Sequence, residues 1–184
     1  TPQAPPPGPP NLLFVGSFRH FPNVRAWRFF VEEVWPLIRH RELTVTAVAG
    51  PEPQLYWQSP PPDERITLHG FVADVKPLYD ACSIVMIPTL VSAGTNLKAL
   101  EAMAMARPIV STLSGVAGLG LKDGESVLVA PSAREFAMAI ERLLNDNLLG
   151  QRLGANARAL AVEHYGWPAL ARLQTELWQS LSAH

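Results

Sequence analysis

Between Leu90 and Ala106 the chain carries two charged residues, Lys98 and Glu101, which follow the small polar run Gly94-Thr95-Asn96. Each residue type suits one part of a single chemistry. Gly94 allows a tight turn and close approach of the backbone. Thr95 or Asn96 can cap a helix that opens there. The first amides of a helix lack internal partners, and with the helix dipole they attract an anion. A lysine in that first turn is unfavourable by the dipole alone, and a bound anion reverses the penalty. Glu101 lies one turn further in, on a stretch otherwise made of Leu, Ala and Met from Leu97 to Ala106. A carboxylate on a buried helix needs partners. Two ribose hydroxyls serve, because an ionised carboxylate accepts from both. The set describes a site for a nucleoside diphosphate. An ordinary surface pair at i,i+3, worth about 0.2–0.5 kcal/mol, fits the same spacing, and spacing alone leaves both readings open.

The elements that must hold these residues alternate along the chain. Short apolar runs predict strands at Asn11–Ser17, Leu43–Gly50, Ile66–Gly70, Ser83–Pro88, Pro108–Thr112 and Ser126–Ala130. Helical spacing covers Pro22–His40, with Pro22 favourable in the first turn and Pro36 shortening the last. Asp74 is the expected N-cap of a short helix before Ser83. Ser132 and Glu135 have capping-box spacing, and helix is expected from there to Leu181, broken near Asn145–Asn147 and Gly166–Pro168. Continuous apolar strands alternating with helices predict an α/β fold: a Rossmann-like, doubly wound parallel sheet with extra C-terminal helices. Ligands of such sheets sit outside the carboxyl ends of the strands. That directs attention to Gly16–Phe21, Gly70–Asp74, Thr89–Asn96 and Thr112–Gly120.

Composition bounds the function. Apolar residues make up 48% of the 184 and charged residues 17%, enough for a packed core. The net charge of −1 points to neither a nucleic-acid nor a membrane surface. Cys82 is the single cysteine, so no intrachain disulfide forms and a reducing, cytoplasmic compartment is the default expectation. No apolar run approaches the roughly 20 residues of a membrane span, and the N-terminus does not read as a signal peptide. Residues 1–10, "TPQAPPPGPP", read as an extended Pro-rich linker, so the domain proper is expected at 11–184 and the chain as one part of a longer protein. A PxxP ligand is the rival reading of that opening, but no basic residue flanks the prolines to orient it.

The remaining residues offer little competing chemistry. The five histidines have no metal-ligand spacing. No GxGxxG follows the first strand, which argues against a dinucleotide oxidoreductase. Ser17 and Ser114 lack a nucleophile-elbow context. Trp27, Trp35, Trp167 and Trp178 read as core or interdomain packing, Met103 and Met105 as core filler, and Asp63–Arg65 and Asp123–Glu125 as solvated loops.

The segment "GTNLKALEAMAMARPIVST" resembles the donor-site segment of retaining glycosyltransferases of GT-B fold, the group 1 type with an E-x7-E pattern. "NLLFVGSFRHFPNVRAWRFFVEEVWPLI", "VTAVAGPEP", "RITLHGFVADVKPLYDACSIVMIP", "GVAGLGL" and "AIERLLND" fit in order. The resemblance spans nearly everything after Pro10. It covers the C-terminal, nucleotide-sugar-binding half of such an enzyme, and the N-terminal, acceptor-binding half is expected outside this chain.

The resemblance implies roles for matched positions. Glu101 matches the Glu that holds the donor ribose. Gly94, Thr95 and Asn96 match the loop whose amides meet the diphosphate, and Gly16 and Ser17 the first strand-to-helix turn beside it. Lys98 stands where many members have Pro, as in a subset with Gly-Thr-x-Leu-Lys. Phe71 and Val72 match the segment near the nucleobase. No cofactor and no metal are expected, since helix amides and Lys98 supply the positive field, and no catalytic residue is assigned. Two departures stand out. Ala93 replaces the first Glu of the pattern, which usually touches the donor sugar. The cations many members carry after the first strand are missing, and of Arg19, His20 and Arg25 the first is the best phosphate candidate, with a solvated loop arginine as its plain alternative. The expected function is donor binding for a retaining sugar transfer. The alternative is a GT-B-like binding module that has lost sugar chemistry, and a sugar-nucleotide epimerase half fits the motifs less well.

Overall fold

The computed structural model describes residues 8–91 and 96–167, and beyond these 169, 171, 174, 175, 178 and 179. Its frame is a parallel sheet of six strands, β1 (Asn11–Val15), β2 (Thr44–Val48), β3 (Ile66–His69), β4 (Ile84–Ile87), β5 (Ile109–Ser111) and β6 (Leu128–Val129), in the order β3-β2-β1-β4-β5-β6. Leu12 of β1 pairs with Val45 on one side and Ile84 on the other. The sheet is the doubly wound one expected from the alternation.

Both faces are covered over the central strands, which is why β1, β4 and β5 are mostly apolar, while the edge strand β3 leaves Thr67 and His69 exposed. Leu12, Phe14, Val45, Ala47, Met86 and Val110 face α1 (Phe21–Phe29) and α5 (Ala133–Asn145). Trp27 centres this layer, its ring 5.4 Å from Phe14, 6.2 Å from Phe18 and 5.7 Å from Phe30. Burying a side chain of that size contributes about 1.5–3 kcal/mol or more. Leu13, Val85, Ile87 and Ile109 face the other way, toward α2 (Lys76–Ala81), α3 (Leu97–Ala104) and α6 (Asn147–Tyr165).

Several expectations need correction. The helix expected over Pro22–His40 is α-helical to Phe29, passes through a wide π-type turn at Phe30–Val34, and ends in a 3-10 turn at Trp35–Leu37. Pro36 has no N–H to continue the α ladder, and Ile38 is already extended. Asp74 is one residue outside the cap of α2: Val75 holds that position while Asp74 Oδ1 accepts from the Lys76 amide at 2.9 Å. A single turn, α4 (Leu113–Val116), stands where an irregular loop was expected.

Asp63–Arg65 is no loose loop: the two pair at 2.6 Å, and the guanidinium lies 4.7 Å over the Trp35 ring. Asp123 likewise accepts from the Val129 amide at 2.8 Å. Trp27 and Trp35 are core, but Trp167 and Trp178 are exposed. The capping box holds, with Ser132 Oγ accepting from Glu135 N at 3.3 Å and Glu135 Oε2 from Ser132 N at 3.1 Å. Asp146 caps α6 through Leu149 N at 2.9 Å, so the break near Asn145–Asn147 is where expected. Among the described residues no helix is long and apolar enough to cross a membrane.

Candidate functional site

Strands β1 and β4 are neighbours, and the chain leaves them toward opposite faces of the sheet, β1 into α1 and β4 into α3. Divergence of this kind opens a crevice at the carboxyl ends of the two strands. The residues of interest come from the segments around it.

Lys98, in the first turn of α3, crosses that crevice. Its Nζ donates to Asn23 Oδ1 of α1 at 2.6 Å and lies 5.8 Å from the Phe14 ring centre. Burial lowers the ammonium pKa to about 8 and outweighs the upward pull of Glu101. Glu101 is exposed on the next turn and accepts from Tyr79 Oη at 2.8 Å. Tyr79 is 1% exposed; burial first, and then the Glu101 charge, push its pKa upward, so the phenol stays protonated and donating. Among the described residues Glu101 Oε1 has no hydrogen-bond partner, and Lys98 and Glu101 do not pair with each other. The surface-pair reading is therefore not the arrangement adopted. Nor is α3 apolar and buried all round: Ala99, Ala102 and Met103 are buried, while Leu97, Glu101 and Ala104 face solvent.

Asn96 holds the cap position of α3, and its carbonyl accepts from the amides of Ala99 and Leu100 at 2.9 and 3.4 Å. Its side chain does not cap the helix: Nδ2 donates to the Ser114 carbonyl at 3.3 Å. Gly94 and Thr95, with Ala93, lie outside the described residues.

On the β1 side, the Gly16 amide is taken by the Val48 carbonyl at 2.9 Å. A Cβ on Gly16 would lie 2.8 Å from Asn23 Cγ, so the missing side chain makes room for that carboxamide. Ser17 accepts from Asn23 Nδ2 through its carbonyl at 2.9 Å, and Gly50, at φ 76°, leaves room for the Ser17 hydroxyl, which a Cβ there would meet at 2.7 Å. Arg19 is half exposed and paired with Glu52 at 3.1 Å. Phe71 is 73% exposed beyond β3, and Val72 is half-buried.

Three residues were not singled out from sequence. Asn23 and Tyr79 sit in unremarkable helical text, and no spacing rule links position 23 to 98 or 79 to 101. Thr89, two residues past β4, is 3% exposed with its hydroxyl unpaired. A concavity of about 1020 Å³ lies at the opposite edge of the sheet, between Pro10, Ser83, Pro108, Leu143 and Ala155. Its position at the amino ends of the strands separates it from Lys98 and Glu101. Among the described residues no three His, Cys, Asp or Glu side chains gather as metal ligands.

The arrangement offers a cation with a neutral partner and an exposed carboxylate with a spare oxygen. That suits an anion joined to a polyhydroxylated group. The chain is 32% identical over 111 residues to alpha-D-kanosaminyltransferase of Streptomyces kanamyceticus, a match covering 58% of this chain and 28% of that protein. Sucrose-phosphate synthase from Thermosynechococcus elongatus superposes with a TM-score of 0.67 at 25% identity, over 95% of this chain and 46% of that one. Anabaena Alr3699/HepE, solved in complex with UDP and glucose, does so with a TM-score of 0.67 at 17% identity, over 95% and 48%. The chain thus spans about a quarter of the curated relative and under half of each of these structures. Residues 9–146 match the family described as "Glycosyl transferases group 1", three quarters of the sequence, and the chain belongs to that family.

Proposed function

We propose that this chain is the donor-binding domain of a retaining glycosyltransferase, holding a nucleoside-diphosphate sugar at the β1/β4 crevice while an acceptor-binding domain elsewhere in the protein brings the second substrate. The observation that carries it is Lys98: a partly buried ammonium facing a neutral amide across the crevice, with Glu101 one turn behind. A cation placed so, with no salt-bridge partner among the described residues, is suited to an incoming anion.

In this reading the diphosphate meets Lys98 Nζ and the first amides of α3, where Asn96 holds the cap position; Gly94 and Thr95 are assigned to the same anion by the resemblance alone. Gly16 and Ser17 form the opposite wall, Gly16 by lacking a side chain, since its amide is already used. The Thr89 hydroxyl offers one more donor near the end of β4. Glu101 accepts from the ribose through Oε1, and Phe71 and Val72 lie toward the base. Arg19 reaches the anion by exchanging Glu52 for it. As the glycosidic bond breaks, negative charge grows on the departing diphosphate, and these groups stabilise it without a metal or other cofactor. Transfer requires closure of two domains, so the isolated chain binds donor and does not turn over acceptor.

Calorimetric titration with UDP, GDP, ADP and their sugar conjugates tests the reading. Saturable binding of one family of nucleotides, weakened by Glu101→Ala, is expected; no binding of any of them overturns it. UDP is the first probe, because the Anabaena neighbour is a UDP complex. The second reading, a binding module without sugar chemistry, is favoured by Ala93 in place of the first Glu of the pattern. A sugar conjugate that binds no better than its bare diphosphate supports that second reading.

A further inference from the structure

We infer that Asn23 is a positioning residue: its carboxamide fixes the Lys98 ammonium over the crevice and, being uncharged, leaves that charge free for the diphosphate. The inference rests on the proposed donor-binding reading and concerns how its cation is held.

The geometry is specific. Asn23 Nδ2 donates to the Ser17 carbonyl at 2.9 Å, and that bond fixes which way the amide faces. Its Oδ1 then has one direction, toward Lys98 Nζ at 2.6 Å. The glycine at position 16 allows this, because a Cβ there would strike the amide at 2.8 Å. One side chain thus ties the turn after β1 to the first turn of α3, across the point where the sheet changes winding direction. A carboxylate at position 23 would meet the same ammonium but would also neutralise it and face the Ser17 carbonyl without a proton to donate. An aliphatic residue would leave the lysine to swing out to water.

Among the described residues, four groups bear on Lys98. Asn23 approaches from α1, the Phe14 ring from β1, and the Tyr79 hydroxyl from α2 at 3.3 Å from the Lys98 carbonyl; Glu101 on α3 is the charged group that acts on the ammonium. The charge on Lys98 is therefore sensitive to any new charge at position 23.

The test follows the Lys98 side chain directly, by its Cε–Hε resonances through a pH titration of the intact protein, beside calorimetry with UDP and with inorganic pyrophosphate. In the unsubstituted protein the lysine titrates below the ordinary lysine value. Asn23→Asp raises the midpoint by about one unit or more and weakens both probes about tenfold or more. Asn23→Ala returns the midpoint toward that of a solvated lysine and weakens both probes several-fold. In a Lys98→Met background neither substitution at position 23 changes pyrophosphate affinity further. An unmoved Lys98 midpoint in both variants overturns the inference, whatever the nucleotide result. If the midpoint moves as expected but the unsubstituted protein binds neither UDP nor pyrophosphate, the positioning of Lys98 stands and the donor-binding reading fails.

Discussion

Tyr79 Oη on α2 donates to Glu101 Oε2 on α3 at 2.8 Å, and the rest of its ring is buried beneath the sheet face. A rigid donor from the core thus holds one oxygen of an otherwise solvent-facing carboxylate. The second oxygen has no hydrogen-bond partner among the described residues, which on the proposed reading leaves it for the ribose. Preorganisation of this kind reduces the freedom a flexible glutamate loses on binding.

Tyr79→Phe separates the ribose from the phosphate contribution. The substitution keeps the ring and removes one hydrogen bond to a charged group, worth about 1.5–3 kcal/mol at most and less for a solvated carboxylate. Affinity for UDP is expected to fall about three- to tenfold, while affinity for inorganic pyrophosphate stays within about twofold. Equal losses for the two probes in calorimetry would mean that Tyr79 does not act through Glu101.

Lys98→Met is expected to stabilise the fold and to weaken anion binding. Burial lowers the Lys98 pKa from 10.5 to about 8 in the folded protein. Below pH 8 both folded and unfolded states carry the proton, and the full desolvation cost is present. Between about pH 8 and 10.5 the unfolded chain binds more protons, so the contribution of this group to stability rises with pH. At pH 7 the methionine variant should therefore be the more stable by about 1–2 kcal/mol, after discounting for partial solvation and for an unpaired Asn23. The gap should close toward pH 10. Denaturant melts at pH 7 and 9.5 measure it, and a pH-independent gap contradicts the account.

Gly154→Ala is expected to loosen the packing of α6 on α3. A Cβ at Gly154 would run into the Ala106 carbonyl, a backbone atom just after α3 that cannot swing aside. Ala106 itself has φ 50°, which leaves that turn little room to adjust. The loss should be about 2 kcal/mol or more, read as a lower melting temperature.

Cys82 should resist alkylation in the native protein. Burial pushes its thiol pKa up to about 12, against a smaller downward pull from Arg107, and its Sγ donates to the Tyr79 carbonyl at 3.4 Å. The thiolate is the reactive form. Iodoacetamide at pH 8 should label it only as fast as the protein unfolds, and rapid stoichiometric labelling under native conditions would show the site to be open.

The sheet was largely legible in the residue pattern, because strands buried on both faces must be apolar throughout and the helices between them must be amphipathic. The capping box at Ser132 was readable for a similar reason: a cap is a bond between near neighbours. The small misses are the one-residue shift at Asp74, whose carboxylate accepts from the Lys76 amide, and the π-type turn at Phe30–Val34.

The candidate site was legible in its residue types and opaque in its partners. Lys98 and Glu101 stand out as charges in apolar text, and their i,i+3 spacing fits a surface pair as well as a ligand site. They turn apart instead, Lys98 to Asn23, seventy-five residues away in the chain, and Glu101 to Tyr79, twenty-two away. The sequence by itself determined the alternation of strand and helix, hence the parallel sheet and the edge where a ligand must sit. Tertiary structure alone decided which neutral side chains meet the two charges, because those contacts exist only once α1, α2 and α3 are docked on their sheet faces.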